Sequence, residues 1–285
     1  MRDKTVASLD GIESKLIEVT RKTKKKIKHI DLYGGEIGLL DDDYLDSLLN
    51  IIEKYSDYKC SFITNLSILK PIFSDPRIEL SISFDFEERQ MDELVFSNIA
   101  LLDRDVSILI LASKNILKKN VDNMIKQLNC LSNIISVEIK PYSANQSNQQ
   151  NVAFSEYESF IQSWIESDIE MKFNFVNYDK IKGSLLKEYS SFSSDHIYIT
   201  PNNKFGILDF DEKDNEVFVE LDTFEGFLEW SEKEVLKVKS NKYCKECRYI
   251  GHCLTEHYRE VKSLDESCNG FKHLLDWNYE SIIKS

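Results

Sequence analysis

Glycine and proline are scarce, with nine and four in 285 residues. That excludes collagen-like, low-complexity and linker-rich chains. No apolar run reaches the roughly 18 residues that a membrane span requires. The first ten residues, Met1–Asp10, lack the apolar core of a signal peptide. A cytoplasmic location with no membrane partner is therefore expected, and structural disulfides are not. Basic residues are in deficit, 36 Lys and Arg against 49 Asp and Glu, for a net charge of -13. So acidic a chain is a poor general binder of nucleic acid or anionic lipid. No cysteine precedes Cys60, yet four of the six fall in the last 45 residues. What is present, 42% apolar and 30% charged residues, is the balance of a globular protein. The length suits one large α/β domain with a small appendage, or two ordinary domains.

Short β-rich apolar runs stand at 29–33, 59–63, 78–83, 106–111 and 135–140. Longer helical patterns lie between them. In 42–55, Leu45, Leu48, Leu49 and Ile52 recur at i, i+3, i+4, i+7; in 114–131, Ile116, Val121, Met124, Ile125 and Leu128 make a similar stripe. Strands alternating with helices of this length predict βαβ units and a parallel sheet buried on both faces. A helix over 155–167 and a strand over 170–176 extend the series. The pattern then changes. Runs at 196–200 and 205–210 flank Pro201-Asn202-Asn203-Lys204, a hairpin signal, with a third strand expected over 217–221 and a helix over 224–239. A boundary near 178 divides a region 1–178 from a region 179–285.

The start is unusual, because a helix over 8–22, with Asp10 and Glu13 as capping box and Ile12, Leu16 and Val19 as apolar stripe, precedes any strand. The strand at 29–33 then has an open neighbour position, which is unfavourable on a parallel sheet. Either another segment covers that edge or a first strand is missing. Six basic residues in Arg21–Lys28 read as a solvated helix end favoured by the helix dipole. The sharper alternative is a docking patch for an acidic leader peptide.

Cys244, Cys247, Cys253 and Cys268 are spaced C-x2-C-x5-C-x14-C. Four soft anionic sulfurs from one stretch suit a tetrahedral Zn site or an iron–sulfur cluster, and the spacing alone leaves both open. His252 and His257 could supplement or replace a ligand, though an ordinary surface role competes for both. Cys60 and Cys130 read as isolated, buried apolar thiols. At the end of the first strand stands Gly34-Gly35-Glu36, where glycines let backbone approach a ligand and a carboxylate can bind an ammonium group. The next strands end in Thr64-Asn65 and Ser83-Phe84-Asp85. Ligand sites in parallel α/β folds lie at this end of the strands. The residues look like a polar small-molecule site, although each could instead serve a turn or cap a helix.

These residues together resemble the radical S-adenosylmethionine (SAM) superfamily, in its branch with a C-terminal SPASM or twitch-type domain. The resemblance rests on 29–36 (HIDLYGGE), 62–65 (FITN), 81–85 (SISFD), 139–142 (IKPY) and the cysteine-rich tail. It implies a partial (β/α) barrel missing its first strand, followed by a small iron–sulfur domain. Gly34, Gly35 and Glu36 would contact the SAM amino group, and Ser83 and Asp85 would lie near its ribose. Cys244, Cys247, Cys253 and Cys268 would hold one auxiliary 4Fe-4S cluster. The implied activity is maturation of a ribosomal peptide or an enzyme, with a peptide or protein as partner; relatives cleave SAM reductively and abstract a substrate hydrogen.

Three departures qualify this. The C-x3-C-x2-C motif that binds the SAM-cleaving cluster is absent, so the chain alone is expected to be inactive. The missing strand and the missing motif then describe one absent segment. A second auxiliary cluster is not expected, since 203–208 holds no cysteine and His257 stands where another would be. Ile37 replaces the usual proline after Gly-Gly-Glu. The alternatives are a non-catalytic, cluster-bearing peptide-binding partner, in which a strand edge near the tail could take an extended peptide, and a Zn-stabilised α/β protein.

Overall fold

A computed structural model describes residues 5–32, 34–86, 90–141, 152–192, 196–210, 216–255, 268 and 270–283. Tyr33, Tyr142 and His257 fall outside them. Two compact units are present: Leu16–Tyr142 with Ser163–Val176, and Met1–Lys15 with Ser143–Gln162 and Asn177–Ser285.

The first unit is built on six parallel strands, β1 (Ile30–Leu32), β2 (Cys60–Thr64), β3 (Ile78–Phe84), β4 (Val106–Ala112), β5 (Ile134–Pro141) and β6 (Asn174–Phe175), in the spatial order β1-β2-β3-β4-β5-β6. Spatial order equals chain order, so every crossover advances in one direction. Right-handed crossovers then place the connecting helices on one face. That face is the core. Cys60, Phe62, Ile78, Leu80, Ile82, Val106, Ile108, Ile110, Val137 and Ile139 are all buried on it.

Helices α2 (Asp42–Ile52), α3 (Asp92–Leu101) and α4 (Val121–Leu128) bury Leu45, Leu48 and Leu49; Val95 and Ile99; and Met124, Ile125 and Leu128. Asp41 caps α2 by accepting from Asp43 N at 2.9 Å, and Asn120 caps α4 by accepting from Asn123 N at 2.9 Å. The Asn120 cap explains why the pattern over 114–131 resolves into a short 3-10 turn, Ile116–Lys118, followed by a shorter helix.

The other face of the sheet corrects the expectation of a sheet buried on both sides. Glu79, Ser81 and Ser83 on β3, Ser107, Leu109 and Leu111 on β4, and Ser136, Glu138 and Lys140 on β5 alternate with the core residues and remain exposed or half-buried. One register row of this face runs Ser81, Ser107, Ser136, Asn174 across four strands, and the Ser107 and Ser136 hydroxyls meet at 2.7 Å. A closed barrel fills such positions with branched apolar side chains; small hydroxyls leave them open. Among the described residues β1 pairs only with β2. Its Ile30 and Leu32 are half-buried where their register partners Cys60 and Phe62 are fully buried.

In the second unit, β7 (Tyr198–Ile199), β8 (Phe205–Phe210) and β9 (Glu216–Leu221) form an antiparallel sheet in the order β7-β8-β9. The predicted turn is closed by Asn203 N donating to Thr200 O at 2.9 Å. The remaining helices are α5 (Phe154–Ile165), α6 (Val176–Leu185), α7 (Phe224–Ser240) and α8 (Lys272–Ile283). Helix α7 buries Phe224, Phe227, Ser231, Glu234 and Val238, a stripe at alternating steps of three and four.

Helix α1 (Leu9–Thr23) starts where predicted, but its cap is Ser8, whose hydroxyl accepts from Gly11 N at 3.1 Å, rather than Asp10. The first turns of α1 lie on the hairpin: Lys15 donates to Asp222 O at 2.5 Å and covers the Phe205 ring at 4.4 Å. The basic run that begins in the last turn of α1 is exposed at Arg21, Lys22, Lys24, Lys25, Lys26 and Lys28, as a solvated helix end would be. Cys60 is buried as expected. Cys130 is exposed, just past the C-terminal end of α4, with its thiol directed to Lys126 O at 3.3 Å, which corrects the buried reading. No helix among the described residues is long and apolar enough to cross a membrane.

Candidate functional site at the strand ends and in the cysteine tail

The strand-end residues are joined through Glu36. Its Oε1 accepts from Gly38 N at 2.9 Å and from the Thr64 hydroxyl at 2.5 Å, and its Oε2 accepts from Asn65 N at 2.9 Å. The first bond caps the 3-10 turn Ile37–Leu39; the other two tie the end of β1 to the end of β2. Gly34 and Gly35 bring the chain there at φ +112° and +62°, a region that favours glycine, and a Cβ on either would meet open space. Thr64 relays the tie by accepting from Leu66 N at 3.0 Å, and Asn65 accepts from Ser67 N at 2.9 Å.

Glu36, Thr64 and Asn65 therefore build the rim as well as facing it. A carboxylate offers about four acceptor positions, so the three bonds of Glu36 leave room for one further donor. Beside them, Asn65, Ser83 and Asp85 line a shallow surface cleft of about 10 Å³, together with Phe84, Met91, Asp92 and Val95. The sequence-predicted residues thus converge on one rim: Gly34, Gly35, Glu36 and Thr64 on one side, Asn65 shared, and Ser83 and Asp85 in the cleft. The helix that follows, α3, has Met91 at its N-cap with no side-chain cap, so Asp85 is not a helix cap.

Lower on the open face a second polar group lies outside the sequence reading. His29 Nε2 and Asp31 Oδ1 are 2.8 Å apart. The hydrogen bond to Asp31 holds the His29 imidazole above its ordinary pKa. Burial pushes the Asp31 carboxyl up, but hydrogen bonds from His29 and Ser61 outweigh it and hold Asp31 below the usual range. The alternation of serine with apolar residues in Ile78–Phe84 was the signal for this face.

The tail brings its cysteines into one neighbourhood. Cys247 N donates to Cys244 O at 2.9 Å, closing the C-x2-C turn, and Asn241 Oδ1 accepts from Tyr243 N at 2.8 Å and Cys244 N at 3.2 Å. Burial pushes the Cys244 thiol up to about 11, and negative charge on Cys253, Cys268 and Cys247 adds to the shift. Three sulfurs near enough to act on Cys244 make a donor set that a cation would relieve, so the chemistry fits a metal or cluster. Among the described residues, however, no three His, Cys, Asp or Glu side chains stand as an assembled coordination set. His252 is engaged elsewhere, its Nδ1 lying 2.6 Å from Tyr189 O.

Solved structures supply the comparison for this architecture. Native anSMEcpe with bound AdoMet superimposes on it with a TM-score of 0.66 at 12% identity, over 100% of this chain and 91% of that one. The same enzyme with bound AdoMet and Kp18Cys peptide gives 0.66 at 13%, and with bound AdoMet and Cp18Cys peptide 0.63 at 13%, each over 100% of this chain and 90% of that one. The chain shares the fold of anSMEcpe. At these identities the likeness is one of fold and not of individual residues. No family model matches the chain, and neither does any curated protein.

Proposed function

We propose that this is a SAM-binding protein of the peptide-maturase kind. In this reading SAM lies against Gly34, Gly35, Glu36, Thr64, Asn65, Ser83 and Asp85, and Cys244, Cys247, Cys253 and Cys268 hold one auxiliary 4Fe-4S cluster. One observation carries it. The Glu36 carboxylate is strung between two strand ends beside two glycines that leave open space, next to a cleft lined by Asn65, Ser83 and Asp85. An ammonium donor can take the remaining acceptor position of Glu36, and the hydroxyl and carboxylate of Ser83 and Asp85 suit ribose hydroxyls. That anSMEcpe binds AdoMet and peptides on the same fold supports the reading. When bound, a 4Fe-4S cluster on four thiolates would supply an electron-accepting centre; the chain's own part is to present the thiolates, to position SAM and to offer the open serine-lined face to a peptide.

The second reading is a non-catalytic, cluster-bearing partner that presents a peptide to another enzyme. It is favoured by the absence of any C-x3-C-x2-C in residues 1–285, and in either reading SAM cleavage by this stretch alone is not expected. Calorimetry with SAM tests the rim. Heat of binding is expected in the wild type and is lost in Asp85→Asn combined with Ser83→Ala; no heat in the wild type would end the SAM reading. Anaerobic reconstitution followed by metal analysis tests the tail. About four iron atoms per chain are expected, whereas about one zinc and no iron would leave the Zn-stabilised alternative standing.

A further inference from the structure

We propose that the polar hub around Asp276 on α8 is a clamp that sets the metal affinity of the cysteine quartet; this rests on the four-thiolate reading above. Asp276 Oδ1 accepts from Arg248 Nη2 at 2.5 Å and from the Tyr249 hydroxyl at 2.9 Å, and Oδ2 accepts from Lys272 Nζ. The Arg248 guanidinium lies 4.7 Å from the Tyr249 ring centre and 4.2 Å from that of Tyr279. Arg248 directly follows Cys247, and α8 opens at Lys272, shortly after Cys268. The hub therefore ties the segment that carries the first pair of cysteines to the helix that follows the fourth.

The third cysteine is tied to the same segment. A Cβ on Gly270 would sit 2.8 Å from Cys253 Cβ and 2.9 Å from its Sγ, so glycine alone lets this strand of chain press on the thiol. Leu254 N donates to Gly270 O at 3.3 Å. Helix α8 is in turn held by α5: the Glu158 carboxylate accepts from Leu274 N at 3.1 Å, and the Phe271 ring lies 4.9 Å from Tyr157 and 5.5 Å from Phe154. The segments of the first three cysteines and the stretch from Gly270 into α8 are thus held by contacts that involve no metal.

Two ion pairs at this exposure stabilise a fold only modestly. Their position gives them leverage of another kind. A metal that gathers four thiolates from a loose chain must close the intervening loops, and that entropy is subtracted from its affinity. A clamp that holds the segments near one another removes most of that term. Asp276, Arg248 and Gly270 are therefore positioning residues that touch no metal.

The test is a Co²⁺ titration of the full chain under anaerobic reduction, read by thiolate-to-cobalt absorption, with metal-free unfolding measured alongside. Asp276→Ala is expected to weaken Co²⁺ binding about 10-fold, with the metal-free protein still folded and destabilised by no more than that same factor, about 1.4 kcal/mol. Asp276→Glu recovers most of the affinity. Affinity within about threefold of wild type in a folded Asp276→Ala would overturn the proposal. If that variant does not fold, Tyr249→Phe decides, because it removes one bond to Asp276 and keeps the ring: weaker binding supports the clamp, and unchanged binding refutes it. A wild-type chain that takes up neither Co²⁺ nor iron refutes the four-thiolate reading itself, which is a separate result from variants that bind as tightly as wild type.

Discussion

Replacing Glu36 separates its role as a strut from any role as a ligand. Its carboxylate accepts from Gly38 N, the Thr64 hydroxyl and Asn65 N, and the side chain is half-buried. Hydrogen bonds to a charged group contribute about 1.5–3 kcal/mol each. Three would give several kcal/mol, but water reaches a half-buried turn and replaces part of each bond. Glu36→Ala is therefore expected to lower stability by about 3 kcal/mol. In Glu36→Gln one oxygen still serves Gly38 and Thr64, while the amide nitrogen now faces the Asn65 N–H, donor against donor. A loss of about 1–2 kcal/mol follows, the scale of one buried donor left without an acceptor. The assay is urea unfolding with SAM calorimetry on the same preparations. If Glu36→Ala costs less than about 1 kcal/mol, the strut does not exist as described. If Glu36→Gln unfolds at the expected lower midpoint yet binds SAM as tightly as wild type, the carboxylate charge has no part in ligand binding.

Three further outcomes follow from single contacts. Burial pushes the Glu158 carboxyl above the ordinary glutamate value of 4.5, against the opposing hydrogen bonds from Leu274 and His273. The native state then keeps its proton to higher pH than the unfolded chain, so this group's contribution to stability falls as pH rises through 4.5 towards the elevated value. Glu158→Gln keeps the acceptor for Leu274 N and should abolish that slope in urea midpoints taken across the range. Arg104 donates to three carbonyls, Phe73 O at 2.6 Å, Asp75 O at 3.1 Å and Ile78 O at 2.5 Å; Arg104→Ala should cost about 2–4 kcal/mol, with Arg104→Lys recovering only part in the same assay. Gly11→Ala normally stabilises a helix by about 1 kcal/mol, but here the new Cβ would lie 2.2 Å from Asn203 Cγ. A loss is expected in thermal unfolding, relieved by Asn203→Gly, which also suits φ +58° at that turn.

Much of the fold was legible because its signals are local. The strand expected over 106–111 is β4, that over 205–210 is β8, and the helix over 224–239 is α7, each set by side-chain period within one segment. Helix α3 escaped because Leu94 and Leu101 lie exposed while Val95 and Ile99 are buried, so apolar residues surround it and no stripe stands out. The open face escaped for the opposite reason: β-rich runs suggested strands buried on both sides, although the serines of Ile78–Phe84 alternate with a period of two. Among site residues, the convergence of Asn65, Ser83 and Asp85 followed from their places at successive strand ends. That Glu36 ties those ends together did not, since Glu36 and Thr64 lie 28 residues apart.

The sequence by itself determined which segments are strands and helices, the parallel βα series, the hairpin and the spacing of the four cysteines, since each is written in neighbouring residues and short steps. Tertiary structure alone decided that Glu36 spans two strand ends, that the first turns of α1 lie on the hairpin through Gly11 and Lys15, and that Asp276 reaches back to Arg248. Those pairs are far apart in the chain, and their partners are chosen by packing, which no local period encodes.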